Sequence, residues 1–220
     1  MKQALRRPPV ERPSTQPEIN RFRRASLIRA AIEVVAREGF ENATIAKICT
    51  AAGVSSGLAA HYFENKDDLL AQAFSRLLDD VGEATAEASR RVVRPEAKLK
   101  TIFSAIFSNA VYSPIARSAY LAFWAASLTN PELLKINKAA YLRFHASVEA
   151  LFERAAQEQK IKIDARAAAI GIIGLSDGLW LDLAIGVDGF TRDDAVRACL
   201  DYIDGVLDDR HAKRRHGRLR

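Results

Sequence analysis

Cysteine is scarce in this chain. Cys49 and Cys199 lie 150 positions apart and form no C-x-x-C pair, which excludes a disulfide framework or zinc ribbon and points to a reduced, cytoplasmic chain. The four histidines, His61, His145, His211 and His216, show no metal-ligand spacing, so no metal or other cofactor is expected. Gly-rich phosphate loops are absent. No alternating run is bounded by turn pairs such as Asn-Gly, so strands are not expected. Long uncharged runs are missing too: the longest, Thr101–Ala116, has 16 residues and contains Ser104, Ser108, Asn109, Ser113 and Pro114. A membrane span needs roughly 18 mostly apolar residues, and none is expected. The basic N-terminus has no apolar stretch behind it, which argues against a secretory signal.

What is present suffices for a folded protein: 220 residues, 49% hydrophobic and 27% charged. The formal net charge of +6 is unevenly placed. Residues 1–66 carry a net +5, residues 67–209 a net −5, and residues 210–220 a net +6. A basic segment on a mildly acidic body suggests a polyanion as partner of that segment. For the terminal 210–220 stretch, a plain solubilising tail explains the same charges equally well.

Helix punctuation recurs along the chain. Residues 1–20, with Pro8, Pro9, Pro13 and Pro17, read as a flexible arm. From about Arg21, Leu27, Ala31, Val34 and Val35 share one helical face until Gly39. Thr44, Ser55 and Asn65 are candidate N-caps, Asp67 and Asp68 sit on the positive end of the helix after Asn65, and Ser113-Pro114 and Asn130-Pro131 pair a cap with proline at the first helical position. Thr191 with Asp194 resembles a capping box. The fold class expected is all-α with about nine helices: a helix-turn-helix unit over 21–66, a helical bundle over 67–209, and a basic tail over 210–220.

The decisive segment is Thr44–Lys66, TIAKICTAAGVSSGLAAHYFENK. Two short helices flank a turn at Gly53, which tolerates the positive φ such a turn needs. Ile45, Ile48, Ala52, Val54, Leu58 and Phe63 can form a shared mini-core. The second helix opens with Ser55, Ser56 and Gly57, small residues that let its N–H end approach DNA closely.

This segment resembles the DNA-binding domain of the TetR family of transcriptional repressors. Thr44, Ile45, Ile48, Ala52, Gly53, Val54, Ser55, Gly57, Phe63, Lys66 and Leu69 match the family pattern in residue type and spacing. Cys49 and Ala60 depart from it; the second leaves His61 and Tyr62 as the aromatic phosphate contacts. AYLAFWAASLTNPEL and GLSDGLWLDLAIG further resemble the choline-responsive BetI-type subgroup. The resemblance implies a homodimer that binds double-stranded operator DNA and releases it when a small molecule enters the C-terminal domain. It implies DNA contacts from Arg21, Arg24, Thr44, Lys47, Ser55, Ser56, Gly57, His61, Tyr62 and Lys66. No Arg, Asn or Gln lies within 55–62, so base readout falls to small side chains and DNA shape.

The stretch 167–184 is apolar nearly all round, so its helix must be covered on more than one side. Gly171, Gly174 and Gly178 form a smooth strip along it. With Val196 and Leu200 of the last helix, they are the expected dimer interface. Asp177 lies within the same stretch, one turn from Trp180. With Tyr120, Phe123, Trp124 and Tyr141, this suggests a cage for a cation such as choline or betaine aldehyde, in which an otherwise unpaired carboxylate gains a partner. Ordinary core aromatics, with Asp177 paired to an arginine or capping a neighbouring helix, explain these residues at least as well, and a non-amine effector is the alternative. Gly174-Leu-Ser176-Asp-Gly178 matches the G-x-S-x-G nucleophile elbow, but that motif needs a strand before the serine. A serine hydrolase, and a sequence-indifferent DNA-coating protein, are the competing classes; no enzyme is expected.

Overall fold

The computed structural model describes residues 15–208. The expected arm up to residue 14 and the basic tail from 210 to 220, with His211 and His216, lie outside the described residues. Nine α-helices and no strand occur among the described residues: α1 Gln16–Glu38, α2 Ile45–Ala52, α3 Ser56–Tyr62, α4 Lys66–Ser89, α5 Pro95–Ile106, α6 Pro114–Ser127, α7 Pro131–Gln159, α8 Ala165–Ile185 and α9 Arg192–Leu207.

The ends of the helices follow the side-chain chemistry. The hydroxyl of Thr44 accepts from the Lys47 N–H at 3.3 Å, and Asn65 accepts from Asp68 N–H at 2.9 Å. Asn130 caps two N–H groups of α7, and Thr191 and Asp194 form a reciprocal capping box. Gly53 closes α2 at φ 68° and ψ 34°, a left-handed cap that suits glycine. Ser55 occupies the N-cap of α3, yet its hydroxyl makes no capping bond. The first helix departs from expectation. It starts at Gln16 rather than near Arg21, because Thr15 caps it, the Glu18 carboxylate accepts the Thr15 N–H at 3.0 Å, and Pro17 sits in the first turn, where its missing N–H costs nothing.

Two hydrophobic cores result. The upper one joins Leu27, Val34, Ile48, Leu70 and Phe74 of α1, α2 and α4, and Phe63 just after α3, to Ala119 and Phe123 of α6 and Leu133 of α7. The lower one packs α5, the second half of α7, α8 and α9 around Phe103, Phe152, Ile172 and Ile203. By length and mean hydropathy (1.6), α8 is apolar enough to cross a membrane. Asp177 and Asp182 interrupt it, so it forms no long uncharged run. In this fold α8 packs between α7 and α9.

Candidate DNA-binding and effector sites

The helix-turn-helix stands on buried anchors. Ala43, Ile48, Cys49, Ala59 and Phe63 are buried, which leaves Thr44, Lys47, Ser55, Ser56, Gly57 and His61 exposed around α2 and α3. Several expected phosphate contacts also have partners within the chain. The Tyr62 hydroxyl donates to Asn20 Oδ1 at 3.0 Å, tying α3 to the first turns of α1. Lys47 Nζ lies 2.6 Å from Glu38 Oε2 and donates to the Asn42 carbonyl at 3.0 Å. Arg24 donates to Gln72 and lies 5.7 Å from the Phe63 ring centroid, so it braces α1 against α4. Arg21 is exposed. Lys66, which opens α4 against its dipole, lies 5.8 Å from the Phe40 ring. The roles of Asn20 and Gln72 escaped sequence reasoning; the Thr15-x-x-Glu18 cap was the signal that Asn20 belongs to the helix.

The second site is a cavity of about 1570 Å³ between α4, α5, α6, α7 and α8. Tyr120, Trp124, Tyr141, Asp177 and Trp180 all line it. Tyr141 donates its hydroxyl to Asp177 Oδ2 at 3.0 Å, and the Tyr120 and Tyr141 hydroxyls are 3.3 Å apart. Since the Tyr141 proton goes to the carboxylate, Tyr120 is the donor of that second bond. Trp180 meets Tyr120 edge-on at 5.2 Å. Burial raises the Asp177 pKa above the ordinary carboxylate value, while the Tyr141 bond and nearby His145 pull it back. Burial also pushes Tyr120 up to about 12, despite its bond to Tyr141. Tyr141 is raised by burial and by its two acidic neighbours. Neither phenol ionises near neutral pH, and both remain donors.

Three expectations need correction. Phe123 is fully buried and does not line the cavity; it stacks on Phe74 at 5.1 Å and meets Phe40 edge-on at 5.9 Å, within the upper core. Successive α6 side chains point to different sides, so Tyr120 and Trp124 face the cavity while Phe123 faces the helix-turn-helix. Asp177 is not unpaired, because Tyr141 satisfies it. Gly171 is covered by its own chain: a Cβ there would lie 1.9 Å from the Tyr202 hydroxyl of α9. Gly174 and Gly178 have open space instead, and Ile170 and Ile185 on the same side of α8 are 54% and 64% exposed. Val196 and Leu200 are half-buried on α9.

Two buried polar atoms also escaped the sequence. Asn137 Oδ1, one turn before Tyr141, and the Tyr112 hydroxyl have no hydrogen-bond partner among the described residues. Arg117 and Arg192 lie 5.8 and 5.9 Å from the Tyr112 ring. Composition around these positions looks like ordinary core, so nothing in the sequence singles them out. The candidate nucleophile Ser176 is 2% exposed in mid-helix, and its hydroxyl donates to the Ile173 carbonyl at 2.9 Å. A nucleophile elbow needs a strand-to-helix turn, which this position lacks.

Residues 27–73 match the model of bacterial regulatory proteins of the tetR family, and residues 95–208 match the C-terminal model of BetI-type transcriptional repressors. The chain belongs to the TetR family. A relative, the HTH-type transcriptional regulator BetI of Pseudomonas paraeruginosa, is 36% identical over 84% of this chain and 93% of its own length. Among solved structures, a transcriptional regulator of Pseudomonas aeruginosa superposes with a TM-score of 0.79 at 30% identity, covering 93% of this chain and 98% of that one. A transcriptional regulator of Saccharomonospora viridis in complex with choline gives 0.73 at 22% identity, covering 82% and 95%. The second of these likenesses is one of fold. This chain is a ligand-responsive TetR-family transcriptional regulator with a BetI-type C-terminal half.

Proposed function

We propose that the chain acts in the cytoplasm as a homodimeric repressor. Each protomer places α3 in one half-site of a pseudo-palindromic operator, and the dimer releases DNA when a cationic small molecule enters beside Asp177. The observation that carries the effector side is the Tyr120–Tyr141–Asp177 hydrogen-bonded chain next to Trp180 in the cavity wall. A half-buried carboxylate with Tyr120, Tyr141 and Trp180 beside it suits a quaternary ammonium, through charge and cation–π attraction of about 0.5–2 kcal/mol per ring. The choline seen with the Saccharomonospora viridis neighbour makes it the first probe to try.

On the DNA side, Thr44, Ser55, Ser56, Gly57 and His61 form the face toward the groove. Arg21, Tyr62 and Lys66 touch phosphate, and Lys47 and Arg24 add charge from positions braced within the domain. The uncovered strip of Ile170, Gly174, Gly178 and Ile185 supports dimerisation through α8, with Val196 and Leu200 beside it. Helix α6 supports the coupling, because it touches the cavity on one side and the helix-turn-helix core on the other. Release requires the ligand to bind the released geometry more tightly than the operator-bound one.

The test is titration calorimetry with choline and its neutral carbon isostere on the wild type and Asp177→Asn, alongside operator mobility shifts. Cation binding should be lost in Asp177→Asn and should release the operator. Equal binding of the isostere would remove the amine and leave a non-amine effector; a monomer that shifts no operator would remove the repressor.

A further inference from the structure

We infer that the cavity is built for an elongated effector, with a cationic head, an apolar chain and an anionic far end, rather than for a small quaternary ammonium alone. The inference rests on the cation reading above and assigns an occupant to the remainder of the space.

Size is the first argument. At about 1570 Å³ this cleft, which is open to solvent along the exposed Asp80, Glu83 and Glu87 of α4, exceeds the roughly 300–1,000 Å³ of a pocket for a drug-sized ligand. A cation of choline's size engages only the end formed by Tyr120, Tyr141, Asp177 and Trp180. Beyond it, α7 keeps lining the cavity at helical spacing through Phe144, Ser147 and Leu151 to Arg154. Arg154 lies 13 positions after Tyr141, a rise of about 20 Å at 1.5 Å per residue. Both side chains belong to one helix and lean the same way, so that rise is the gap to be bridged, less the reach of the charged groups themselves. The stretch between is mainly apolar, with Ile102 and Ile106 of α5 and Leu78 of α4, and the exposed Arg143 and Ser147 of α7 also line it.

Charge is the second. Gln159 donates to Glu96 Oε2 at 2.9 Å, which ties the end of α7 to the first turn of α5 and brings Arg154 and Lys98 to the same end of the cavity. Among the described residues neither Lys98 nor Arg154 has a carboxylate partner. The acids of the facing α4 wall are mostly engaged: Asp80 and Glu83 hold Arg76, and Glu87 holds Arg90, leaving Asp79. One end thus offers a half-buried carboxylate and the other two cations without a carboxylate partner, the half-buried Lys98 and the exposed Arg154, with mainly apolar lining and the exposed Arg143 between. A carboxylate or phosphate ester at the far end of a chain-bearing cation complements both.

Calorimetry on the full-length protein tests this with four probes, each below its micelle concentration: choline, dodecyltrimethylammonium, a twelve-carbon ω-trimethylammonio fatty acid, and dodecanoate. The ω-trimethylammonio acid should bind at least tenfold more tightly than choline, and more tightly than the alkyl cation. Lys98→Gln/Arg154→Gln should bring it to the level of the alkyl cation and leave choline unchanged; Arg154→Lys should keep most of the affinity. Thermal denaturation checks that each variant folds. Choline binding as tightly as the ω-trimethylammonio acid, or no effect of the double variant, overturns the inference while the Asp177 reading stands. Dodecanoate binding as well as the ω-trimethylammonio acid, with no effect of Asp177→Asn, overturns both.

Discussion

Replacing Gly171 by alanine separates two roles that a glycine on α8 can have. Alanine in a helix interior is normally worth about 1 kcal/mol over glycine. Here the new Cβ would sit 1.9 Å from the Tyr202 hydroxyl and 2.7 Å from its ring Cζ, so the ring has to swing away from α8. Overpacking of this kind costs about 1–3 kcal/mol. The Tyr202 hydroxyl also loses its 3.4 Å bond to the Ala168 carbonyl, worth about 0.5–1.5 kcal/mol. Against the helical gain, Gly171→Ala should destabilise by about 2 kcal/mol, a fall of about 4–8 °C in Tm for a chain of this size. In a Tyr202→Ala background the obstacle is gone, and the same substitution should stabilise by about 1 kcal/mol. Thermal denaturation of all four members of the cycle, at one protomer concentration because dimer stability depends on it, reads the result. Stabilisation by Gly171→Ala in both backgrounds would refute the packing argument.

Gly174→Trp should act between chains instead. The position is open within the protomer, so the protein should fold, sediment as a monomer and lose operator affinity, as ultracentrifugation and mobility shifts will show. Asp177→Asn should abolish cation binding without lowering Tm, because burial raises the carboxyl pKa in the folded state. A raised carboxyl pKa disfavours folding above it and is relieved as pH falls, so Asp177 adds nothing to acid unfolding. Cation affinity, in contrast, should fall as pH drops through that raised value and below it, because the cation binds the ionised carboxylate, measured by calorimetry across pH. Lys66→Ala should weaken binding to all DNA sequences alike and reduce the salt slope by about 1; altered base preference with an unchanged slope would place Lys66 elsewhere. Phe123→Leu, close in volume, should cost about 1–3 kcal/mol for two lost aromatic contacts. It should also reduce the change in operator affinity caused by ligand, read in mobility shifts with and without effector.

Much of the fold was legible because caps and prolines are local signals. Thr44, Asn65, Asn130-Pro131 and Thr191 mark helix starts by chemistry that acts within three residues. The run of four prolines hid the start of α1, since Pro17 reads as coil when its place in a first turn is overlooked. Site residues were legible by type but not by direction. Trp124 and Phe123 are adjacent in sequence, and the roughly 100° step between helical neighbours sends one to the cavity and the other to the core. Tertiary pairs such as Tyr62–Asn20 and Gly171–Tyr202 join positions more than 30 apart, so no local pattern announces them.

The upper core has a practical consequence for anyone wishing to rewire this regulator. Phe74 finds its stacking partner, Phe123, on α6, and Leu133 of α7 belongs to the same packed group. Severing the chain after residue 66 would therefore divide a hydrophobic interior rather than a linker. Transplanted onto another ligand-binding body, the operator-reading unit keeps its shape only if the recipient offers an aromatic ring where Phe123 stands and a small residue where Ala119 lets α1 come close. The exchangeable module is thus defined by a surface of α6, remote in sequence, as much as by the helices that read DNA.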